Sequence, residues 1–189
     1  ASKVKGLPKE AVREIVFLSN DTIMKLYNYL MEHEMYRDAT LVALAYESTG
    51  RKNELCQVLK DSVTDDRNCT NQVTGKRGKV FSLIYFELTK EAAKKYLAQR
   101  GDDGIPELFV NSENRPATTG NIYEWVVDMR DIVEELTGER QEFNVHSFRH
   151  SGLENYSTGT HEHLIRNNMP PIPIEKLRLI ARHENISTT

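Results

Sequence analysis

Apolar side chains recur every three or four residues through most of the chain, a spacing that is typical of amphipathic helices. In the first such stretch, the apolar face consists of Ile23, Leu26, Tyr27 and Leu30. Either Asn20 or Asp21 can cap the start of this helix. The same spacing predicts further helices over residues 37–47, 52–60, 89–99, 121–137, 146–156 and 174–182, and a short one over 10–17. Thr89 is the predicted N-cap of the helix over 89–99, and Gly138 is the predicted C-cap of the helix over 121–137.

The pattern changes between residues 72 and 86. A turn that contains Gly75 and Gly78 is followed by the apolar run 80–86, which is rich in residues that favour strands. This combination predicts an antiparallel hairpin. A short strand is predicted over 108–110, and a long loop over 157–173. We therefore expect an α+β fold that is mainly α-helical with one small antiparallel sheet. Residues 1–19 are assigned to an N-terminal arm or linker, and residues 20–189 to one domain.

Composition narrows the class of protein further. With 39% hydrophobic residues, 28% charged residues and a mean hydropathy of −0.56, the chain can build a core beneath a polar surface. It has no apolar run long enough to span a bilayer and no signal-peptide pattern, so we expect a cytoplasmic protein. Cys56 and Cys69 lack the spacing of a metal site, and His161 and His163 have no third ligand nearby. The net charge of −3 excludes a uniformly basic surface but allows one basic face for nucleic acid.

His146 and Arg149 are three residues apart in a predicted helix, so both side chains can contact one ligand. The N-terminal amides of that helix also favour an anion. Arg51 begins another predicted helix, where a guanidinium opposes the helix dipole unless an anion or an acidic partner is close. These residues indicate a phosphate site. A surface ion pair for His146 and Arg149, and a simple pair of Arg51 with Glu54, are the alternatives.

Basic side chains also cluster at the tip of the predicted hairpin. A mobile hairpin can carry Lys76, Arg77 and Lys79 into a DNA groove, and a lysine there can protonate a departing alkoxide. The alternative is a solvated turn. His183 follows the last predicted helix, where an ordinary helix-terminal histidine is the alternative.

The order of these basic groups resembles that of the tyrosine recombinases, the phage integrase family. Residues 37–55, with Arg51, resemble the family's first arginine box, and residues 75–76, with Lys76, resemble its β-hairpin lysine. Residues 146–150 resemble its His-x-x-Arg box, and residues 180–189, with His183, resemble the segment that bears its final histidine. The resemblance extends over residues 18–189. It departs from the family pattern at Thr49 and Arg182, where a glycine is usual.

The resemblance implies the fold of a DNA breaking-rejoining catalytic core and a role in site-specific DNA recombination, as in the integrase of a mobile element. In this family a tyrosine attacks a DNA phosphodiester and forms a 3′-phosphotyrosyl link, and the strand is later rejoined to another 5′-hydroxyl. The implied partners are double-stranded DNA and other recombinase protomers, with no membrane and no small-molecule substrate. No cofactor is expected. The implied location is the bacterial cytoplasm, with the protein on the nucleoid when it acts.

By position, the expected catalytic residues are Arg51, Lys76, His146, Arg149 and His183. Arg51 and Arg149 would hold the non-bridging phosphate oxygens, and Glu54 would orient Arg51. Further contacts with DNA are expected from Lys52, Arg77, Lys79 and Arg182.

The remaining expected roles concern protons and the phosphate. Lys76 would protonate the 5′ oxygen, with Lys79 as the alternative acid. His146 would assist proton transfer at the nucleophile, and His183 would donate a hydrogen bond to the phosphate.

The nucleophile itself is expected to lie after Thr189. The family's tyrosine follows the last histidine at a distance that places it there, and none of the chain's eight tyrosines occupies that position. We therefore expect residues 1–189 to bind DNA without cutting it. A DNA-binding recombinase relic or regulator is the alternative function, and a helical interaction domain is the third.

Overall fold

The computed structural model describes residues 15–181 and consists mainly of helices with one small sheet. The helices are α1 (Asn20–Glu32), α2 (Tyr36–Ser48), α3 (Lys52–Leu55), α4 (Glu87–Arg100), α5 (Thr119–Thr137), α6 (Val145–Thr158), α7 (Glu162–Arg166) and α8 (Ile174–Ala181). The strands β1 (Cys69–Thr74) and β2 (Val80–Ile84) pair between α3 and α4. The predicted α+β class is confirmed.

Helix α2 is the centre of the domain. Its last eleven residues are buried, because α1, α4 and α6 pack against different sides of it. The apolar face predicted for α1 is also buried, as expected. Ser19 caps α1 by accepting a hydrogen bond from the Thr22 N–H, so the predicted caps Asn20 and Asp21 are wrong by one or two residues.

A carboxylate at the end of α2 fixes the start of α4. Glu47 accepts hydrogen bonds from the N–H groups of Phe86, Leu88 and Thr89 and from the Thr89 hydroxyl. Burial raises the pKa of Glu47 to about 7, although these donors act in the opposite direction. Because Glu47 satisfies the first N–H groups of α4, this helix begins at Glu87. The predicted cap at Thr89 is therefore wrong.

Helix α3 ends at Leu55, so the prediction of a helix over 52–60 is wrong beyond its first turn. Tertiary hydrogen bonds engage the backbone that follows. The Asn71 side chain accepts from the Leu59 N–H at 2.8 Å and donates to the Gln57 carbonyl at 3.1 Å. These bonds replace the i→i−4 bonds that a longer helix would need.

The hairpin is antiparallel, as predicted, with Val73 opposite Phe81. The strand predicted over 108–110 is not formed, since Val110 makes only an isolated bridge with Pro116. The Leu108 N–H donates to the Val58 carbonyl and the Val110 N–H to the Tyr96 hydroxyl, so these backbone groups are satisfied without joining a sheet.

The later helices follow the predicted pattern closely. Gly138 ends α5 in the left-handed conformation, as predicted, and α6 begins after its N-cap Asn144. The long loop predicted over 157–173 is interrupted by the short helix α7, which the sequence pattern did not indicate. No helix within residues 15–181 is long and apolar enough to cross a lipid bilayer.

The ends of the chain bear on three predictions. Residues 10–14 of the helix predicted over 10–17 lie outside the described residues, and residues 15–19 are not helical. Arg182 and His183 also lie outside the described residues. Leu18 is buried, and its N–H donates to the Ser151 hydroxyl at 2.8 Å, so the chain packs on α6 before α1 begins. The domain boundary between residues 19 and 20 stays a prediction.

Candidate phosphate-binding site

Arg51 is the N-cap of α3, where the chain leaves the central helix α2. Glu54 accepts the Arg51 N–H through Oε1 at 2.9 Å, and its Oε2 lies 3.7 Å from Arg51 Nη1. The Glu54 side chain is 2% exposed, whereas that of Arg51 is 30% exposed. Glu54 therefore fixes Arg51 from the buried side and leaves the guanidinium open to solvent on the other.

Arg149 lies on α6 and is buried. Its Nη1 donates to the Thr49 carbonyl, and its Nη2 donates to the Ala181 carbonyl at 3.4 Å. Burial and the nearby Arg51 guanidinium lower the pKa of Arg149 to about 10, so the side chain stays charged at neutral pH. An anion placed between two like charges stabilises both of them.

Two neutral imidazoles lie beside these arginines. Burial, together with His150 and Arg149, lowers the pKa of His146 to about 4. Burial and Arg149 also lower the pKa of His150, whose ring meets that of His146 edge-on at 4.4 Å between centroids. Each ring therefore carries one N–H donor and one nitrogen acceptor at neutral pH.

Lys76 lies at the tip of the hairpin, on a single 3-10 turn. The turn is closed by the Gly75 N–H, which donates to the Lys79 carbonyl at 2.7 Å. A Cβ on Gly75 would lie 2.9 Å from Glu54 Oε2, so the hairpin tip packs closely against the carboxylate that pairs with Arg51. Only glycine allows this approach.

A cleft of about 540 Å³ brings these elements together. The described residues that line it are Arg51, Lys52, Asn53, Lys76, Tyr123, Asn144, Val145 and His146. Three of them are basic side chains, and none of these described lining residues is a carboxylate. Arg149 is buried beside this cleft, where the Arg51 charge lowers the pKa of Arg149 and the Arg149 charge lowers the pKa of His146. The structure thus brings together four of the five residues expected to be catalytic.

The residues expected to contact DNA are distributed unevenly. Lys52 lines the cleft, with its Nζ 5.3 Å from the centre of the Tyr123 ring. Arg77 and Lys79 are exposed on the hairpin, outside the described lining of the cleft. Lys76 is therefore better placed than Lys79 to reach a ligand in the cleft. His183 and Arg182 have no described position.

The other histidine cluster has a structural role. The ring of His161 is stacked between those of Tyr46 and Tyr156, with centroids 3.9 and 3.8 Å away. His163 is stacked on Phe86, and its Nδ1 lies 2.8 Å from a Glu87 carboxylate oxygen. The two histidines therefore have separate partners. Within residues 15–181, no cluster of three or more His, Cys, Asp or Glu side chains could hold a metal ion.

Tyr156 and Tyr123 differ in their access to solvent. Tyr156 is fully buried and donates to the Glu47 carbonyl at 2.6 Å, and burial raises its pKa well above the ordinary value. Its hydroxyl is therefore unsuited to attack a ligand. Tyr123 lines the cleft and is 44% exposed.

Sequence comparison assigns the chain to a family. A sequence model described as the phage integrase family matches residues 16–189. The chain belongs to this family. No curated protein matches the chain significantly.

Solved structures with the same fold include several recombinases. The XerA recombinase has a TM-score of 0.69 and 21% identity, over 92% of this chain and 56% of that one. A Tn1549 transposon integrase in complex with circular intermediate DNA has a TM-score of 0.67 and 14% identity, over 94% and 60%. A lambda integrase dimer bound to a COC′ core site has a TM-score of 0.62 and 14% identity, over 95% and 64%. The chain therefore spans about three fifths of the length of these structures.

The cleft of this phage integrase family member and the His150 ring packed against His146 include residues that the sequence patterns did not single out. His150 follows His146 by one helical turn, and this spacing was a usable signal. Asn53 and Asn144 flank predicted site residues and carried a weaker signal. Tyr123 is distant in sequence and reaches the cleft only because α5 packs beside α3.

Proposed function

We propose that residues 20–189 form the catalytic domain of a site-specific DNA recombinase, such as a mobile-element integrase, and that the cleft binds one phosphate of double-stranded DNA. The observation that carries this proposal is that Arg149 donates to the carbonyl of Thr49, two residues before Arg51, whose guanidinium lies beside the Glu54 carboxylate. A phosphodiester supplies the negative charge that the two arginines favour. Its two non-bridging oxygens also match the fork of donors on a guanidinium.

The chemistry follows from the positions around that phosphate. A tyrosine oxygen attacks phosphorus while the bond from phosphorus to the 5′ oxygen breaks. His146, kept neutral by its lowered pKa, accepts the tyrosine proton, and Lys76 gives a proton to the departing 5′ oxygen. Arg51 and Arg149 stabilise the charge that develops on the non-bridging oxygens. His183 would add a hydrogen bond to the same phosphate.

Contacts with the rest of the DNA would come from the basic side chains around the cleft. Lys52 lies in its lining, and Arg77 and Lys79 lie on the exposed hairpin. Because such contacts release counterions, affinity for duplex DNA should fall steeply with salt. The DNA complexes described for Tn1549 integrase and lambda integrase, the second as a dimer, support duplex DNA and further protomers as partners. A bacterial enzyme of this kind would act in the cytoplasm, on the nucleoid.

Covalent capture on DNA tests the proposal. A duplex that loses a short fragment after cleavage traps the protein on its 3′ end, and the adduct is counted on a denaturing gel. The protein should include whatever residues its gene encodes after Thr189. Arg149→Lys should slow adduct formation about 100-fold or more, because a lysine cannot replace the two-pronged contact. Arg140→Lys is the matched control, since Arg140 pairs with Asp131, Glu134 and Glu142.

The other outcomes separate the alternatives. Salt-dependent DNA binding without any adduct would favour the non-catalytic DNA-binding function. An adduct formed by residues 1–189 and lost in Tyr123→Phe would replace the expected nucleophile with Tyr123. Equal rates for Arg149→Lys and Arg140→Lys would refute the assignment of the cleft.

A further inference from the structure

Gln57 links the helix that carries Arg51 to the hairpin that carries Lys76. Its Nε2 donates to the Thr74 carbonyl at 2.9 Å, and its Oε1 accepts from the Thr74 N–H at 2.8 Å. The same Nε2 donates to the Asn53 carbonyl of α3 at 2.9 Å. One side-chain amide therefore joins α3 to the last residue of β1.

The geometry of this contact resembles that of a neighbouring strand. In a two-stranded sheet, each strand has one edge without a partner strand. Thr74 presents both its N–H and its carbonyl on the free edge of β1, and the primary amide of Gln57 pairs with both at once. This pairing fixes the direction of the chain at the residue where the strand ends and the turn begins.

The contact lies close to the proposed acid. Thr74 is followed by Gly75, which packs against Glu54, and then by Lys76. Lys76 itself is exposed on a short turn. A general acid must come within hydrogen-bonding distance of the atom it protonates, and a displacement of about 1 Å can cost 100-fold in rate. The hydrogen bonds at Thr74 therefore set the part of the hairpin from which Lys76 reaches the cleft.

We propose that Gln57 is a positioning residue, which holds Lys76 on the leaving-group side of the phosphate bound by Arg51. This role rests on the proposed function, in which Lys76 protonates the 5′ oxygen. Gln57 itself takes no part in the bond changes. It acts by keeping the hairpin at a fixed distance from α3.

A change of leaving group tests this role directly. Cleavage is measured in single turnover on two duplexes, one with the normal 5′ oxygen at the scissile phosphate and one with a bridging 5′ sulfur. A thiol has a pKa of about 8.5, so a thiolate leaves without needing a proton from Lys76. The protein includes any residues that its gene encodes after Thr189, and each variant is first checked by thermal unfolding.

The central variant is Gln57→Leu, and Gln72→Leu is its matched control, because Gln72 is an exposed glutamine on the same hairpin. We expect Gln57→Leu to cleave the oxygen substrate about 10- to 100-fold more slowly and the sulfur substrate at the wild-type rate. Lys76→Ala should show the same pattern, and Gln72→Leu should match the wild type on both. Gln57→Glu keeps the acceptor for the Thr74 N–H but sets a carboxylate oxygen against the Thr74 and Asn53 carbonyls, so it should show the same pattern as Gln57→Leu. It also serves if Gln57→Leu does not fold.

Each contrary result has a distinct meaning. Equal slowing of Gln57→Leu on both substrates would overturn the positioning role in favour of general stability. Wild-type rates on both substrates would show that Gln57 has no role in cleavage. If sulfur fails to restore Lys76→Ala, then Lys76 is not the acid, and both this inference and that part of the proposed function fail. If sulfur restores Lys76→Ala but not Gln57→Leu, only the role of Gln57 fails.

Discussion

Gly152 allows α6 to approach α2 closely, and adding one methyl group there should separate the two helices. A Cβ at this position would lie 2.5 Å from the Tyr46 carbonyl oxygen and 3.0 Å from Thr49 Cγ2. Ordinary contact begins at 3.4 Å, so the methyl group and the carbonyl must move apart by about 0.9 Å. The Tyr46 carbonyl belongs to the central helix and cannot swing away as a side chain could.

The expected cost of Gly152→Ala follows from that displacement. Forcing an extra carbon into a packed contact typically costs about 1–3 kcal/mol. For a domain of this size, each kcal/mol lowers Tm by roughly 2–4 °C, so Tm should fall by about 2–12 °C. Arg149 lies one turn earlier on the same helix and donates to the Thr49 carbonyl. Affinity for duplex DNA should therefore fall together with stability.

Thermal unfolding of Gly152→Ala and Gly120→Ala provides the measurement. Gly120 also lies in a helix, but a Cβ there would meet only Thr118 Oγ1, at 3.7 Å. Alanine favours a helix over glycine by up to about 1 kcal/mol, so Gly120→Ala should keep or raise Tm. If Gly152→Ala melts at or above the wild-type temperature, the tight contact between α2 and α6 is wrong.

Two further predictions concern stability. Thr49 has a φ of 56°, which is costly for any residue with a β-carbon. The free energy of unfolding of Thr49→Gly should therefore be about 1 kcal/mol higher than that of Thr49→Ala. Equal urea midpoints for the two variants would contradict this. Burial lowers the pKa of His161 to about 3, whereas a histidine in the unfolded chain has a pKa of about 6.5. Because the unfolded chain binds the proton first, the free energy of unfolding should fall as pH drops from 6.5 towards 3. His161→Phe keeps an aromatic ring between Tyr46 and Tyr156 but cannot titrate, so its urea midpoint should change less between pH 7 and 4.5. A change as large as that of the wild type would refute this role.

Helices with a continuous apolar face were predictable from the sequence, because burial of that face decides their position. The predicted apolar face of α1 is buried, and α5 begins and ends within two residues of its predicted limits. Predictions failed where a distant side chain supplied the decisive hydrogen bonds. Asn71 ends the helical run after α3, and Glu47 starts α4 two residues before its predicted cap, Thr89. Local patterns carry no information about partners so far along the chain.

The site shows the same division. Local spacing and order were sufficient to single out Arg51, Lys76 and His146, which the structure brings to one cleft. The pairing of Arg149 with a backbone carbonyl was not predictable, since a carbonyl has no identity in the sequence. Tyr123 reaches the cleft from a helix in which no site residue was predicted. Convergence of distant segments depends on packing, which the pattern of a single element does not describe.

The carboxylate of Glu47 has a consequence for how this domain can diversify. The chain leaves the central helix after Ser48, forms α3 and the hairpin, and returns at Phe86, whose N–H is bound by the Glu47 carboxylate. Both ends of this excursion are thus pinned at one point. Loop-closure entropy rises only slowly with length, so insertions at the hairpin tip should cost the core little. Over evolutionary time, the tip can lengthen or change its charges while the central helix stays as it is.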